Sequence, residues 1–166
     1  MIMHRNVLEL LVTENVFATL ANELAGAMTG RPVDSSLETY LNAQFGKGSP
    51  QFSQLRQLCI EGERDGWLMQ REAGGIKFGR AIKPNTKAAS FSVDVVRMGE
   101  IAGPHHIHTN GEIGAIIPIA GDPKFDGKAE GWYVYPAGSS HHPTVTGGDA
   151  YVVYFLPEGA IEFTGR

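Results

Sequence analysis

Gly103-Pro-His-His-Ile-His-Thr-Asn-Gly-Glu-Ile113 is the segment on which the reading of this chain turns, and Tyr135-Pro-Ala-Gly-Ser-Ser-His-His-Pro143 is its complement. His106 and His108 are two residues apart, so on a strand both imidazoles leave the same face. Asn110-Gly111 is a tight-turn pair, so the chain bends there and Glu112 opens a second strand that returns toward the imidazoles. In the other segment Pro136 and Gly138 make a rigid turn that presents His141 from the far side. Two or three imidazoles with one carboxylate suit a divalent transition ion that keeps positions for water or substrate. Cys59 is the only cysteine, so the site is built from nitrogen and oxygen, and Fe, Mn, Zn, Ni and Co all remain open.

Outward from these segments the apolar period is two. Ile76, Phe78, Arg80 and Ile82 alternate with Lys77, Gly79 and Ala81, and Phe91, Val93, Val95 and Arg97 alternate with Ser92, Asp94 and Val96. Further apolar runs cover Ile113–Ala120, Trp132–Tyr135, Ala150–Leu156 and Ala160–Phe163. Gly74-Gly75, Asn110-Gly111, Asp122-Pro123, Asp126-Gly127 and Gly147-Gly148 are the expected turns. Many short strands at this spacing predict a sandwich or barrel over residues 66–166.

Residues 1–65 are different: they hold only five of the 21 glycines, and their apolar period is helical. Phe17, Leu20, Ala21, Leu24 and Met28 form one stripe, ended by Gly30 and Pro32. Ser35-Ser36-Leu37-Glu38 reads as a capping box opening a second helix. Ser49-Pro50 starts a third, with Phe52, Leu55, Leu58 and Cys59 buried and Cys59 an inert core thiol. These helices are expected to bury their stripes on the barrel or across a dimer.

The net charge of −4 argues against a partner held by phosphate contacts, so no nucleic acid is expected. No apolar run reaches the length of a membrane span, and the first residues lack the pattern of a signal peptide. A cytoplasmic protein with no membrane partner is the expectation.

The two histidine segments resemble the two motifs of the cupin superfamily. Gly103, His106, His108, Glu112 and Gly121 match the first, and Gly131, Pro136, Gly138 and His141 the second, with spacers that differ only in turns. The resemblance implies a mainly β fold, a jelly-roll type antiparallel barrel preceded by the helical region, and a metal held by His106, His108, Glu112 and His141. Longer strings are similar to the small bacterial family of 4-hydroxylaminobenzoate lyases: Leu37-Glu-Thr-Tyr-Leu-Asn-Ala43, Gly74-Gly-Ile-Lys-Phe-Gly-Arg80, Phe91-Ser-Val-Asp-Val-Val96 and Gly159-Ala-Ile-Glu-Phe163 among them. That resemblance implies a metal-dependent conversion of 4-hydroxylaminobenzoate and water to 3,4-dihydroxybenzoate and ammonia. A cupin dioxygenase and a non-catalytic binding cupin are the alternatives.

Around the ligands, Glu112 and His105 are the candidates for moving protons. An aromatic carboxylate needs a cation, and Arg80 is the first candidate, on an otherwise apolar strand face, with Arg97 the second. Glu72 is the competing ion-pair partner for Arg80. Of Tyr133 and Tyr135 against Trp132 and Val134, one pair must face the site. His105 is expected to leave the strand on the side opposite the ligands, His142 is open between solvent and the pocket rim, and a homodimer is the expected assembly.

Overall fold

The computed structural model describes residues 6–166. Three helices come first: α1 (Val7–Met28), α2 (Ser35–Phe45) and α3 (Pro50–Asp65). Asn6 and Glu9 form a reciprocal cap on α1, and Ser49 caps α3 with Pro50 in its first turn. The cap of α2 is Asp34 and not Ser35, since the Asp34 carboxylate accepts from the Ser36 amide at 2.9 Å. Aspartate supplies the acceptor as well as serine does, and it stands one residue earlier.

Nine strands follow: β1 (Arg71–Ala73), β2 (Ile76–Ile82), β3 (Phe91–Ala102), β4 (His106–His108), β5 (Glu112–Phe125), β6 (Gly131–Tyr135), β7 (Ser139–His141), β8 (Thr144–Pro157) and β9 (Glu162–Phe163). They form two antiparallel sheets, ordered β1-β2-β3-β8-β5-β6 and β7-β4-β9. This is the jelly-roll cupin fold, with its hydrogen bonding divided between a large sheet and a small one.

Two expected turns are not turns. Asp122-Pro123 lies inside β5 and Gly147-Gly148 inside β8, where the register between the two strands slips. The backbones approach so closely there that a Cβ on Gly121 would meet the Gly147 carbonyl at 2.7 Å. Glycine marks a bulge at this point, which bends the long strands without ending them.

The large sheet has two faces with separate cores. Phe17, Leu20, Leu24 and Met28 of α1 and the α3 stripe pack against Val93, Val95, Val153 and Phe155. The opposite face carries Met98, Ile116, Phe125, Tyr133, Val145 and Val152 toward the small sheet. The helical stripes are therefore spent on the outside of the β unit. Among the described residues the first half of α1 leaves the most apolar surface in solvent, with Val7 at 72% and Leu8 at 71% exposed, while Ile60 of α3 and Phe163 of β9 are also exposed. Among the described residues no helix is long and apolar enough to cross a membrane.

Helix α2 covers the open edge of β6. The Asn42 side chain donates to the Trp132 carbonyl at 2.9 Å and accepts from the Trp132 amide at 2.8 Å, as a neighbouring strand would. Glu38 accepts from the Val134 amide at 3.0 Å. The edge is thus closed by side chains. Replacing Asn42 by alanine should strand two backbone groups and cost about 2–4 kcal/mol. Denaturant unfolding followed by tryptophan fluorescence measures this, since Trp132 lies at the joint.

Candidate metal centre

Strand β4 is only three residues long, and its pleat sends His106 and His108 to one side. In the β4–β7 register His106 is paired with His141, which brings the third imidazole across. Gly111, at φ +91, closes the turn after β4 and delivers Glu112 as the first residue of β5. The ligating atoms of His106, His108, Glu112 and His141 all lie within 4.8 Å of one another. The Nε2 atoms are 3.0 Å apart for His106 and His108, 3.0 Å for His108 and His141, and 2.9 Å for His141 and His106. His108 Nε2 is 3.4 Å from Glu112 Oε1.

The protonation pattern decides what this cluster fits. His106 Nδ1 lies 3.1 Å from the Pro104 carbonyl, and His141 Nδ1 lies 2.6 Å from Asp126 Oδ2. Both acceptors require a proton on Nδ1, so both Nε2 atoms present bare lone pairs to each other. Burial, then the neighbouring imidazole of His141, pushes the His106 pKa down to about 4. Burial, then His106 and His141, takes His108 to about 3. Neutral rings with converging lone pairs repel one another unless a cation lies between them. Donors about 2.1 Å from one ion and at right angles around it stand about 3.0 Å apart, which matches the three nitrogens. The residues fit a divalent transition ion.

The groups behind the ligands are also in place. Asp126, at the end of β5 with φ +50, accepts from His141 Nδ1, from the Tyr135 hydroxyl at 2.6 Å and from the Thr144 amide at 2.9 Å. Burial opposes ionisation of Asp126, but the hydrogen bonds from His141 and Tyr135 hold its pKa below the ordinary value. Tyr133 donates to Glu112 Oε2 at 3.0 Å. Its ring lies where a side chain on Gly114 would be, so Gly114 must be glycine for the phenol to reach the carboxylate. Tyr133 and Tyr135 are thus the pair that faces the site, while Trp132 packs toward α2 and donates to the Phe45 carbonyl at 3.0 Å.

His106, Glu112 and His141 line a cavity of about 380 Å³ whose remaining walls are almost wholly apolar. Arg80 does not line it. Its guanidinium is bound to Asp94 at 2.9 Å, not to Glu72, and to the Gly159 carbonyl at 3.2 Å, and it lines a neighbouring cavity. Its shared parity with Ile82 fails because the register slips between them, and Ile82 joins the helix-side core. Arg97 follows Phe91, Val93 and Val95 onto the helix side, where it binds Glu63 at 2.6 Å and Asp149 at 2.7 Å. His105 turns away from the cluster, its Nδ1 2.6 Å from the Thr164 hydroxyl and its ring 4.9 Å from that of His142. Asp126 was not among the expected site residues. The Asp126-Gly127 turn signal hid it, although an acid at the end of a strand facing the histidine strands was a cue.

A cupin with three histidines and a glutamate converging at the wall of a largely apolar cavity is the class that this fold and site define. The profile of the 4-hydroxylaminobenzoate lyase family matches residues 19–163, and the chain belongs to that family. A 4-hydroxylaminobenzoate lyase from Nocardioides sp. (strain LMS-CY) is 28% identical over 145 residues, covering 82% of this chain and 86% of the relative. Another from Pseudomonas putida is 26% identical over 150 residues, covering 80% and 85%. Among solved structures, a salicylate 1,2-dioxygenase from Pseudaminobacter salicylatoxidans aligns with a TM-score of 0.42 and 13% identity, over 66% of this chain and 35% of that one.

Two measurements test the centre. Asp126→Asn keeps the shape but loses the charge that orients His141, so metal affinity should fall about 10- to 100-fold in a chelator competition. Burial raises the Glu112 pKa from 4.5 to about 8, so the metal-free protein holds that proton at neutral pH. A cation needs the carboxylate, so binding at about pH 7 should release about one proton per ion, and almost none at about pH 9.5. Calorimetry in buffers of different ionisation heat reads this directly.

Proposed function

We propose that the protein is a metal-dependent 4-hydroxylaminobenzoate lyase, converting 4-hydroxylaminobenzoate and water to 3,4-dihydroxybenzoate and ammonia. The observation that carries this reading is the three-histidine, one-glutamate cluster at the wall of an apolar cavity, in a chain that belongs to this family. His106, His108, Glu112 and His141 would hold the ion, which supplies Lewis acidity toward a hydroxylamino oxygen and an acidified water. The overall reaction is redox-neutral: the ring loses its nitrogen and gains two oxygens, one from the hydroxylamine and one from water.

The chain's own groups have separable tasks. The apolar walls, Val96, Met98, Phe125 and Val152 among them, exclude bulk water and accept an aromatic ring. Glu112 is the acid of the metal cavity, and Tyr133 fixes its second oxygen, so we assign proton transfer to Glu112. His105, outside the cavity and held by Thr164, serves the site only through the segment it anchors. Asp126 and Tyr135 keep His141 aimed. Arg80 borders the site through its ion pair with Asp94. The proposed reading takes a small aromatic carboxylate as the partner and a cytoplasmic homodimer as the working form, and sedimentation velocity checks the assembly.

A strictly anaerobic assay of the metal-loaded protein tests the reading. One ammonia per 3,4-dihydroxybenzoate at the aerobic rate is expected. Oxygen consumed in step with product would establish a dioxygenase instead, and ligand binding without product a binding cupin.

A further inference from the structure

Among the described residues no lysine or arginine lines the metal cavity. The side chains that line it are apolar apart from His106, Glu112, His141 and Tyr154. Beside it lies a second cavity of about 530 Å³. The two share Phe78, Tyr154, Ile161 and Phe163, three aromatic residues and one aliphatic. These four form a sleeve of aromatic and aliphatic side chains common to both cavities, a chemistry suited to a flat ring. At the far end are two guanidinium groups, Arg71 and Arg80. Arg80 is committed: Asp94 takes two of its nitrogens, at 2.9 and 3.3 Å, and the Gly159 carbonyl a third contact at 3.2 Å. Arg71 makes no ion pair or side-chain hydrogen bond with any described residue, and Glu14, on the same cavity, is not paired with it.

The strand register fixes where Arg71 points. It is directly opposite Phe78 in the β1–β2 pair, so both side chains leave the same face. Ala73, two residues on, lines the metal cavity, whereas Arg71 lines the second. Residues two apart on a strand are separated by about 6.5–7 Å along it. The same split recurs on β8, where Val152 lines the metal cavity, Tyr154 both, and Leu156 the second. On both strands the lining thus passes from the metal cavity to the second one, and Arg71 lies on the far side of the shared residues from the metal cluster.

We propose that Arg71 is the carboxylate anchor of this site, gripping the acid end of a para-substituted benzoate whose ring lies in the Phe78–Tyr154–Ile161–Phe163 sleeve and whose other end meets the metal cluster. The proposal rests on the lyase reading for the identity of the para substituent. It does not rest on that reading for the carboxylate, which the free guanidinium selects. It replaces Arg80, the expectation from sequence, because Arg80 already has its anion.

Arg71 stands on an exposed edge strand, so Arg71→Met leaves the fold and the metal cluster intact. With 4-hydroxylaminobenzoate the KM of Arg71→Met should rise about 10- to 100-fold, with kcat changed far less and metal content unaltered. Arg71→Lys should restore part of the loss. N-phenylhydroxylamine, which lacks the carboxylate, should be turned over equally by wild type and Arg71→Met. Unchanged KM in Arg71→Met, or an equal loss with N-phenylhydroxylamine, overturns the proposal. Binding of plain benzoate to the metal-loaded protein, read by calorimetry, separates this from the lyase reading. If wild type turns over no hydroxylamino-aromatic, that reading fails, yet benzoate binding lost in Arg71→Met and retained in Arg71→Lys still upholds the anchor. Benzoate bound equally by wild type and Arg71→Met rejects it.

Discussion

Three imidazole nitrogens about 3 Å apart, at least two of them presenting bare lone pairs, are the arrangement on which the rest of this structure depends. Left to themselves these nitrogens repel, and burial keeps the adjoining Glu112 protonated until a cation takes the proton's place. His108 Nδ1 is buried without a hydrogen-bond partner, which is a further cost. The cluster persists because each ligand is fixed by backbone that cannot relax independently. His106 and His108 lie on β4, which is held between β7 and β9. Glu112 starts β5, which is held in the large sheet between β8 and β6. His141 is fixed from behind by Asp126, which also binds Tyr135 and the Thr144 backbone. A cation converts this stored repulsion into attraction, which is how a site of this kind obtains affinity without charge on most of its ligands.

The large sheet separates stability from chemistry by strand parity. On β8, Tyr151, Val153 and Phe155 face the helices, whereas Val152 and Tyr154 face the cavities. On β3, Val93 and Val95 face the helices, whereas Asp94, Val96 and Met98 face inward. The helices thus cover one face with a continuous apolar layer, and the other face is free to be hollow. A hollow interior costs packing energy, and the helix-side core offsets that cost. This explains why a 166-residue chain devotes its first 65 residues to a helical region that contributes no member of the metal cluster.

The convergence of His106, His108 and Glu112 was legible in the sequence because their spacing is local. His-x-His sets two ligands by the pleat alone, and Asn110-Gly111 returns Glu112 by turn chemistry alone. The helical stripes were legible for the same reason, and all of Phe17, Leu20, Leu24, Met28, Phe52, Leu55 and Leu58 are buried. What could not be read was anything decided between strands. Arg80 and Arg97 obey their parities as far as the next bulge, but parity does not say which face is the hollow one. The Gly121 and Gly148 bulges imitate turns because both need residues without Cβ. Asp126 reaches His141 across 15 residues and two strands, a distance over which no periodicity speaks.

Two-ended geometry is what separates this site from a bare metal cluster. The cluster alone would serve a hydrolytic or an oxidative reaction on any ligand with a suitable donor atom, because its imidazoles and carboxylate do not discriminate among ring substituents. Discrimination needs a second fixed point, and for a ring in an apolar sleeve the useful point is a charge at the opposite end. A substrate gripped at both ends arrives with one rotational freedom instead of three, so the reacting atom is placed relative to Glu112 before chemistry begins. The Arg80–Asp94 pair fits the same scheme. By neutralising the buried Asp94 beside the sleeve, Arg80 removes a carboxylate that would otherwise repel the substrate's own. One arginine thus clears the cavity of negative charge, and the other is left free to bind it.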